Sequence, residues 1–148
     1  MTTDKGKANH VKILLEVEDE DGKVEIESVW AVPVENGYQI DNIPFYAKEI
    51  AYGDIVSAEP DEDGMLSFKE LIAPSGHSTI RLWFAKETDV TQVRDALRGM
   101  GCPSELDLSR LVAVDIPPSI PYESVRTYLD QQESEGIFEY EEACLGQE

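Results

Sequence analysis

The sequence has few basic residues, few cysteines and no long apolar run. It holds 12 Lys and Arg residues against 31 Asp and Glu residues, which leaves a formal net charge of -19 over 148 residues. Proteins that bind nucleic acid rely on clustered Lys and Arg to neutralise phosphates, and no such cluster exists here. An acidic membrane surface would repel the chain as well. We therefore expect neither nucleic acid nor membrane as a partner.

Targeting and membrane signals are lacking too. No stretch approaches the roughly 20 apolar residues that cross a bilayer, and residues 1–10 have no apolar centre like that of a signal peptide. We expect a cytoplasmic protein whose first ten residues are flexible.

Motifs that carry chemistry are also missing. Cys102 and Cys144 lie far apart, with no CxxC spacing and no nearby pair of histidines. The sequence contains no Walker loop, no dinucleotide fingerprint, no HExxH and no GxSxG. We expect no metal, no cofactor and no catalytic residue, and thus a protein that is not an enzyme.

Acidic residues are abundant and occur in blocks, at residues 16–21, 59–63 and 130–142. One interpretation is that these blocks are solvated, keep the protein soluble and protect strand edges from aggregation. The other is that they imitate a polyanion, since such a field steers a basic protein into fast association. Both interpretations stay open at this point.

Turn signals divide the first half of the chain into short strands. Asp21-Gly22, Asn36-Gly37 and Asp63-Gly64 each separate two segments rich in apolar and β-branched residues. Asn-Gly and Asp-Gly tolerate the positive φ that tight hairpins need. We predict a small curled sheet or barrel over residues 11–76.

The apolar spacing changes after residue 76. Strand-like and helix-like segments then alternate, which predicts the order β-α-β-α-β over residues 77–146. This is the order of part of a ferredoxin-like fold, so we predict an α+β protein with a barrel followed by a ferredoxin-like half. Asp89 and Gln92 are predicted to form a capping box at the first helix. Trp30 and Trp83 are predicted to lie in the core.

Residues 59–70 almost match a calcium-binding loop. Acids stand at loop positions 1, 3, 5 and 12, and a Gly stands at position 6. Position 1 is Glu59 rather than Asp, Pro60 follows it, and both flanks have strand-like patterns, whereas an EF-hand needs helices. A hairpin with an acidic tip explains the same residues.

His77 lies beside Ser78 and Thr79, which would suit a hydrolase only if a hydroxyl and a carboxylate converged on the imidazole. Because neighbouring side chains on a strand point to opposite faces, we prefer a structural His77 at the junction of the two halves.

Four stretches of the sequence resemble a known bacterial family. They are Ser28-Val29-Trp30-Ala31, Asp41-Asn42-Ile43-Pro44-Phe45, Tyr52-Gly53-Asp54-Ile55-Val56 with Ala58-Glu59, and Ser75-Gly76-His77-Ser78-Thr79. In order and spacing they are similar to the domain of unknown function DUF4265, over about residues 12–142. The resemblance transfers neither an activity nor catalytic residues to this chain, because the family has none established.

Small acidic bacterial proteins of this kind are often immunity proteins that block a toxin from a neighbouring cell. We therefore expect a monomer or homodimer that occludes a basic protein such as a nuclease toxin. The alternatives are a small-molecule-sensing module of ferredoxin-like type and a hydrolase that uses His77. The predicted contact residues are Asp61, Glu62, Asp63, Glu133, Glu135, Glu139 and Glu141.

Overall fold

The computed structural model describes residues 10–147, which form two β-sheets with two α-helices on one of them. The prediction of a flexible N-terminus falls on residues 1–9, which lie outside the described residues, and on His10, whose Nε2 is 2.7 Å from Asp41 Oδ2. No helix in the described range is long and apolar enough to cross a membrane.

The first sheet is a closed barrel, as the turn signals predict. Its strands are β1 (Val11–Glu18), β2 (Val24–Val34), β3 (Gly37–Ile40), β4 (Ile55–Pro60) and β5 (Leu66–Ala73). Consecutive strands pair antiparallel, and a short parallel pairing of β1 with β5 closes the barrel. Buried apolar side chains fill it, among them Ile13, Val29, Ile40 and Val56.

Hairpins occur at the three turns that the sequence predicts. Gly22 and Gly64 have φ values of 82° and 81°, which suit glycine. At Asp61, the carboxylate accepts hydrogen bonds from the backbone N–H groups of Asp63 and Met65. The segment that resembles a calcium loop is therefore the β4–β5 hairpin, with strands on both sides.

The second half of the chain forms a four-stranded sheet with two helices. The elements are β6 (Ser78–Phe84), α1 (Val90–Gly99), β7 (Ser104–Asp107), β8 (Leu111–Ile116), α2 (Tyr122–Ser134) and β9 (Phe138–Cys144). The sheet has the order β7-β8-β6-β9, and every neighbouring pair is antiparallel. The helices precede β7 and β9 in the chain and cover one face of the sheet.

Two sequence predictions for this half are wrong. The order is β-α-β-β-α-β, because β7 is an additional strand of four mostly polar residues that carries no apolar alternation. The predicted capping box is also absent, since Asp89 has helical dihedral angles and its side chain makes no cap hydrogen bond. A short 3-10 turn, Glu87–Asp89, leads into α1 instead.

The central strand β6 has two different faces. Ile80, Leu82 and Phe84 point toward the helices and belong to the apolar core of this half. Thr79 and Arg81 point the other way, where each donates a hydrogen bond to a carbonyl of the segment between β3 and β4. Side chains alternate along a strand, so Trp83 lies on this second face.

Candidate functional site

Trp83 stands at the end of β6 and is 43% exposed, so its predicted place in the core is wrong. The contacts that cover Thr79 and Arg81, on the same face of the strand, come from residues 47 and 50. Unlike Thr79 and Arg81, which are buried, Trp83 remains partly open to solvent. A large aromatic side chain that stays exposed is a common anchor of protein interfaces.

A groove of about 520 Å³ opens beside Trp83. Phe84 and Phe138, whose rings make an edge contact at 5.3 Å, border it from the core, where they are 5% and 2% exposed. Its lining residues are Trp83, Phe84, Ala85, Glu133, Gly136, Phe138 and Glu139. The groove thus combines aromatic surface with two carboxylates.

Three of the predicted contact residues lie at or next to this groove. Glu133 and Glu139 line it, and Glu135 is the residue at the end of α2, directly before Gly136. All three are exposed. Glu133 is also held in place, since its Oε2 accepts a hydrogen bond of 3.0 Å from the backbone N–H of Tyr140. The structure therefore gathers these three acids on one surface.

Two tyrosines further along the same edge hold acidic side chains. The Tyr140 hydroxyl donates to Asp130, and the Tyr122 hydroxyl donates to Glu142. Burial, followed by this hydrogen bond to Asp130, raises the pKa of Tyr140 to about 12. Both acceptors belong to the acidic block of residues 130–142, so part of that block has fixed positions.

Glu141 differs from the other predicted contact residues, because it is half-buried and paired within the protein. Its Oε1 accepts a hydrogen bond of 3.2 Å from Arg81 Nε, and its Oε2 lies 3.4 Å from Lys48 Nζ. Arg81 is 1% exposed, and burial lowers the pKa of its guanidinium. The carboxylate of Glu141 therefore balances the buried positive charge of Arg81.

Residues 45–49 form a strap between the barrel and the second sheet. The Glu27 carboxylate on β2 accepts hydrogen bonds from three consecutive backbone N–H groups, those of Phe45, Tyr46 and Ala47, at 2.6, 3.0 and 2.9 Å. From the other side, Arg81 Nη2 donates to the Ala47 carbonyl at 2.6 Å. The strap thus joins the two sheets through charged side chains.

The acidic hairpin tip is a separate surface. Asp61, Glu62 and Asp63 are exposed, and Asp61 lines a groove on the barrel together with Glu16 and Ile26. None of the residues that line this groove also lines the groove beside Trp83. The seven predicted residues therefore fall into two surfaces and one internal ion pair.

His77 lies at the junction of the two halves. Its Nδ1 is 2.8 Å from Asp115 Oδ1, and its ring makes an edge contact with Tyr52 at 5.3 Å. Burial raises the pKa of Asp115, while His77 opposes that shift. A small pocket of about 190 Å³ beside His77 also exposes Cys144. Because burial raises the pKa of Cys144 to about 11, this residue is a neutral thiol rather than a nucleophilic thiolate.

Trp83 and Arg81 are the residues that sequence reasoning missed. Arg81 carries a signal, since it is the single charged residue in the apolar run Thr79-Ile80-Arg81-Leu82-Trp83-Phe84. A charge in such a run requires an internal partner. The exposure of Trp83 has no comparable signal, because its sequence neighbours Leu82 and Phe84 are both buried.

Comparison with known proteins gives a fold relative and a family, with no activity attached. A solved structure reported as a novel crystal structure of a hypothetical protein from Neisseria gonorrhoeae is similar to this chain, with a TM-score of 0.84 and 25% sequence identity. The similarity covers 96% of this chain and 99% of that one. No curated protein matches the chain. The family model described as a domain of unknown function, DUF4265, matches residues 27–140, so this chain belongs to the DUF4265 family.

Proposed function

We propose that this protein is a cytoplasmic, non-enzymatic immunity protein. It neutralises a basic bacterial toxin, such as a nuclease effector, by binding over the surface that the toxin uses. The groove beside Trp83, with the adjoining acids of α2 and β9, is the contact surface.

The observation that carries the proposal is the exposed Trp83 among carboxylates. Binding energy at protein interfaces concentrates on a few residues, with Trp prominent among them, set in apolar pockets inside a polar rim. The groove has this composition, because Trp83 supplies exposed apolar surface while Glu133 and Glu139 supply the rim. A rim of carboxylates favours a partner that carries positive charge.

The charge of the whole protein supports the same kind of partner. A formal charge of -19 on 148 residues produces a negative field that accelerates encounters with a basic surface. Nuclease clefts are basic because they bind phosphates. Fast association suits an inhibitor that must reach its target before the target reaches nucleic acid.

The proposal is tested by capture followed by reconstitution. The tagged protein is used to capture partners from its native cells at low and high salt, and the captured protein is identified, purified and assayed for nuclease activity. We expect one basic partner, released by salt, whose activity falls when this protein is added at an equimolar amount. A captured partner whose activity is unchanged by this protein would contradict the immunity function.

Variants at the two acidic surfaces then locate the contact. The first variant combines Trp83→Leu with Glu139→Gln and removes one negative charge, and the control variant combines Glu62→Gln with Asp63→Asn at the hairpin tip and removes two. We expect the first to lose inhibition and the second to retain it. If the hairpin-tip variant lost inhibition and the groove variant retained it, the contact surface would be the hairpin tip.

The second candidate function is a small-molecule-sensing module, and the pocket beside His77 favours it. We infer a ferredoxin-like arrangement for the second half from the element order β-α-β-β-α-β and the strand order β7-β8-β6-β9. Halves of this type often bind metabolites. This candidate predicts that a metabolite raises the melting temperature of the wild-type protein and leaves that of His77→Ala unchanged.

A further inference from the structure

We propose that the groove beside Trp83 recognises an arginine side chain of the partner, with the guanidinium stacked on the Trp83 ring and hydrogen-bonded to Glu139. This inference rests on the proposed function, because it names the chemical group that the contact surface takes from the basic partner.

The register of β6 and β9 places the two side chains together. Trp83 and Glu139 are direct partners in this antiparallel pair, so both point to the same face of the sheet. The Cβ atoms of such a pair lie about 4.5–5.5 Å apart. A carboxylate beside an aromatic ring at this spacing offers a planar cation a stacking face and an acceptor at once.

The neighbouring pair on the same strands already joins a guanidinium to a carboxylate. Arg81 and Glu141 are also direct partners, two residues along each strand, and Arg81 Nε donates to Glu141 at 3.2 Å. Glu141 has a second cation, Lys48, on its other oxygen. On this face of β9, Arg81 and Lys48 lie at Glu141, whereas Glu139 is exposed to solvent.

The groove favours arginine over lysine for three reasons. A guanidinium is planar and stacks on an indole ring, whereas an ammonium does not stack. It also presents several N–H donors in a fixed plane, which suits a carboxylate acceptor. Arginine is less strongly hydrated than lysine, so placing its side chain against the exposed part of Trp83 costs less in lost hydration.

The test compares two peptides of equal charge, acetylated and amidated tetra-arginine and tetra-lysine. Both peptides carry the same charge, so the acidic protein attracts them about equally over long range. The ratio of their dissociation constants therefore measures the effect of replacing an ammonium group by a guanidinium. We expect tetra-arginine to bind about three- to tenfold more tightly, because both cations are attracted to the ring but only the guanidinium also stacks on it and presents donors in a fixed plane. Calorimetric titration measures both constants.

The location is measured by NMR on protein labelled with 15N-tryptophan. The sequence has two tryptophans, so two indole signals are expected. Tetra-arginine should shift the Trp83 signal and leave that of Trp30 unchanged. The preference for arginine should fall to about one in Trp83→Leu and decrease in Glu139→Gln, while Glu62→Gln, which removes the same charge from the hairpin tip, should keep it.

Equal binding of the two peptides by the wild-type protein, or an unchanged preference in Trp83→Leu, would overturn the inference. This outcome is distinct from failure of the proposed function. A partner that is captured and inhibited while the peptides bind equally would leave the immunity function standing and remove only the arginine contact. A preference for tetra-arginine in a protein that captures no partner would leave the arginine contact standing and remove the immunity function.

Discussion

Arg81 on the central strand of the second sheet donates a hydrogen bond of 2.6 Å from Nη2 to the carbonyl of Ala47 in the strap of residues 45–49. The guanidinium is buried, and Nη1 has no hydrogen-bond partner among the described residues. One charged side chain thus connects the two sheets at a site that water does not reach freely. The connection depends on polar contacts as well as on apolar packing.

Replacing Arg81 by Ala should destabilise the protein by about 3 kcal/mol. The substitution leaves the Ala47 carbonyl without its donor and Glu141 without its buried partner, and it opens a space between the sheets. Urea unfolding measures the change in the free energy of unfolding.

The control for Arg81 is Lys48→Ala, because Lys48 pairs with the same Glu141 from an exposed position. That change should cost less than about 1 kcal/mol. If the two variants lost equal stability, the buried position of Arg81 would not account for its effect.

Glu27→Ala should destabilise the protein by about 2 kcal/mol, because three consecutive N–H groups of the strap lose their acceptor. Glu25→Ala serves as the control. Glu25 is exposed on the same strand and lies 3.8 Å from Lys23, so its removal should change stability by less than about 0.5 kcal/mol. Hydrogen exchange at residues 45–47 should accelerate in Glu27→Ala only, and unchanged exchange there would contradict the role of Glu27.

The Tyr46 hydroxyl should make stability depend on alkaline pH. Its hydrogen bond to Asp107, at 2.6 Å, and then burial raise the pKa of Tyr46 to about 12. An unfolded tyrosine has a pKa of about 10. Because the folded pKa is the higher one, the stabilisation is complete below pH about 10 and is lost as pH rises toward about 12.

Comparing wild type with Tyr46→Phe isolates this effect from the other tyrosines. The difference in unfolding free energy between the two proteins should be constant below pH about 10 and should shrink between about 10 and 12. Asp107→Asn should weaken the same pH dependence, since it removes the charge that raises the pKa. A difference that stays constant up to pH 12 would show that the Tyr46 hydroxyl is not held by Asp107.

Trp83 should contribute less to stability than its smaller neighbour Phe84. Trp83→Ser should lower the free energy of unfolding by about 1–2 kcal/mol, because 43% of the residue is already exposed in the folded protein. Phe84→Ala, one residue further on the buried face, should cost about 3–5 kcal/mol. Thermal unfolding of the two variants measures both losses in stability. A loss in Trp83→Ser as large as that in Phe84→Ala would show that Trp83 has a structural role.

Much of the fold could be predicted because its signals are local. Asp21-Gly22 sets a hairpin through the positive φ of Gly22, and the apolar spacing of Val90, Val93 and Leu97 sets a helix face. Strand β7 could not be predicted in this way. Its residues Ser104–Asp107 have weak strand propensity and pair with β8 because the chain brings them to its edge.

The candidate site was predicted only in part, for a related reason. The acids of residues 130–142 are evident in composition, but whether they converge depends on how α2 packs against β9. Trp83 resembles a core residue in sequence because its neighbours Leu82 and Phe84 are core residues. Its exposure of 43% is a property of the tertiary structure rather than of the local sequence.

The most direct test of the account is the affinity of the purified partner for this protein and for the variant that combines Trp83→Leu with Glu139→Gln. It is measured at about 50 mM and about 300 mM salt, where screening of surface charges differs strongly. We predict that the partner binds the wild-type protein at least about tenfold more weakly at the higher salt, and that the variant loses at least about tenfold in affinity at both. Equal affinity for the two proteins, independent of salt, would contradict an acidic groove that captures a basic partner.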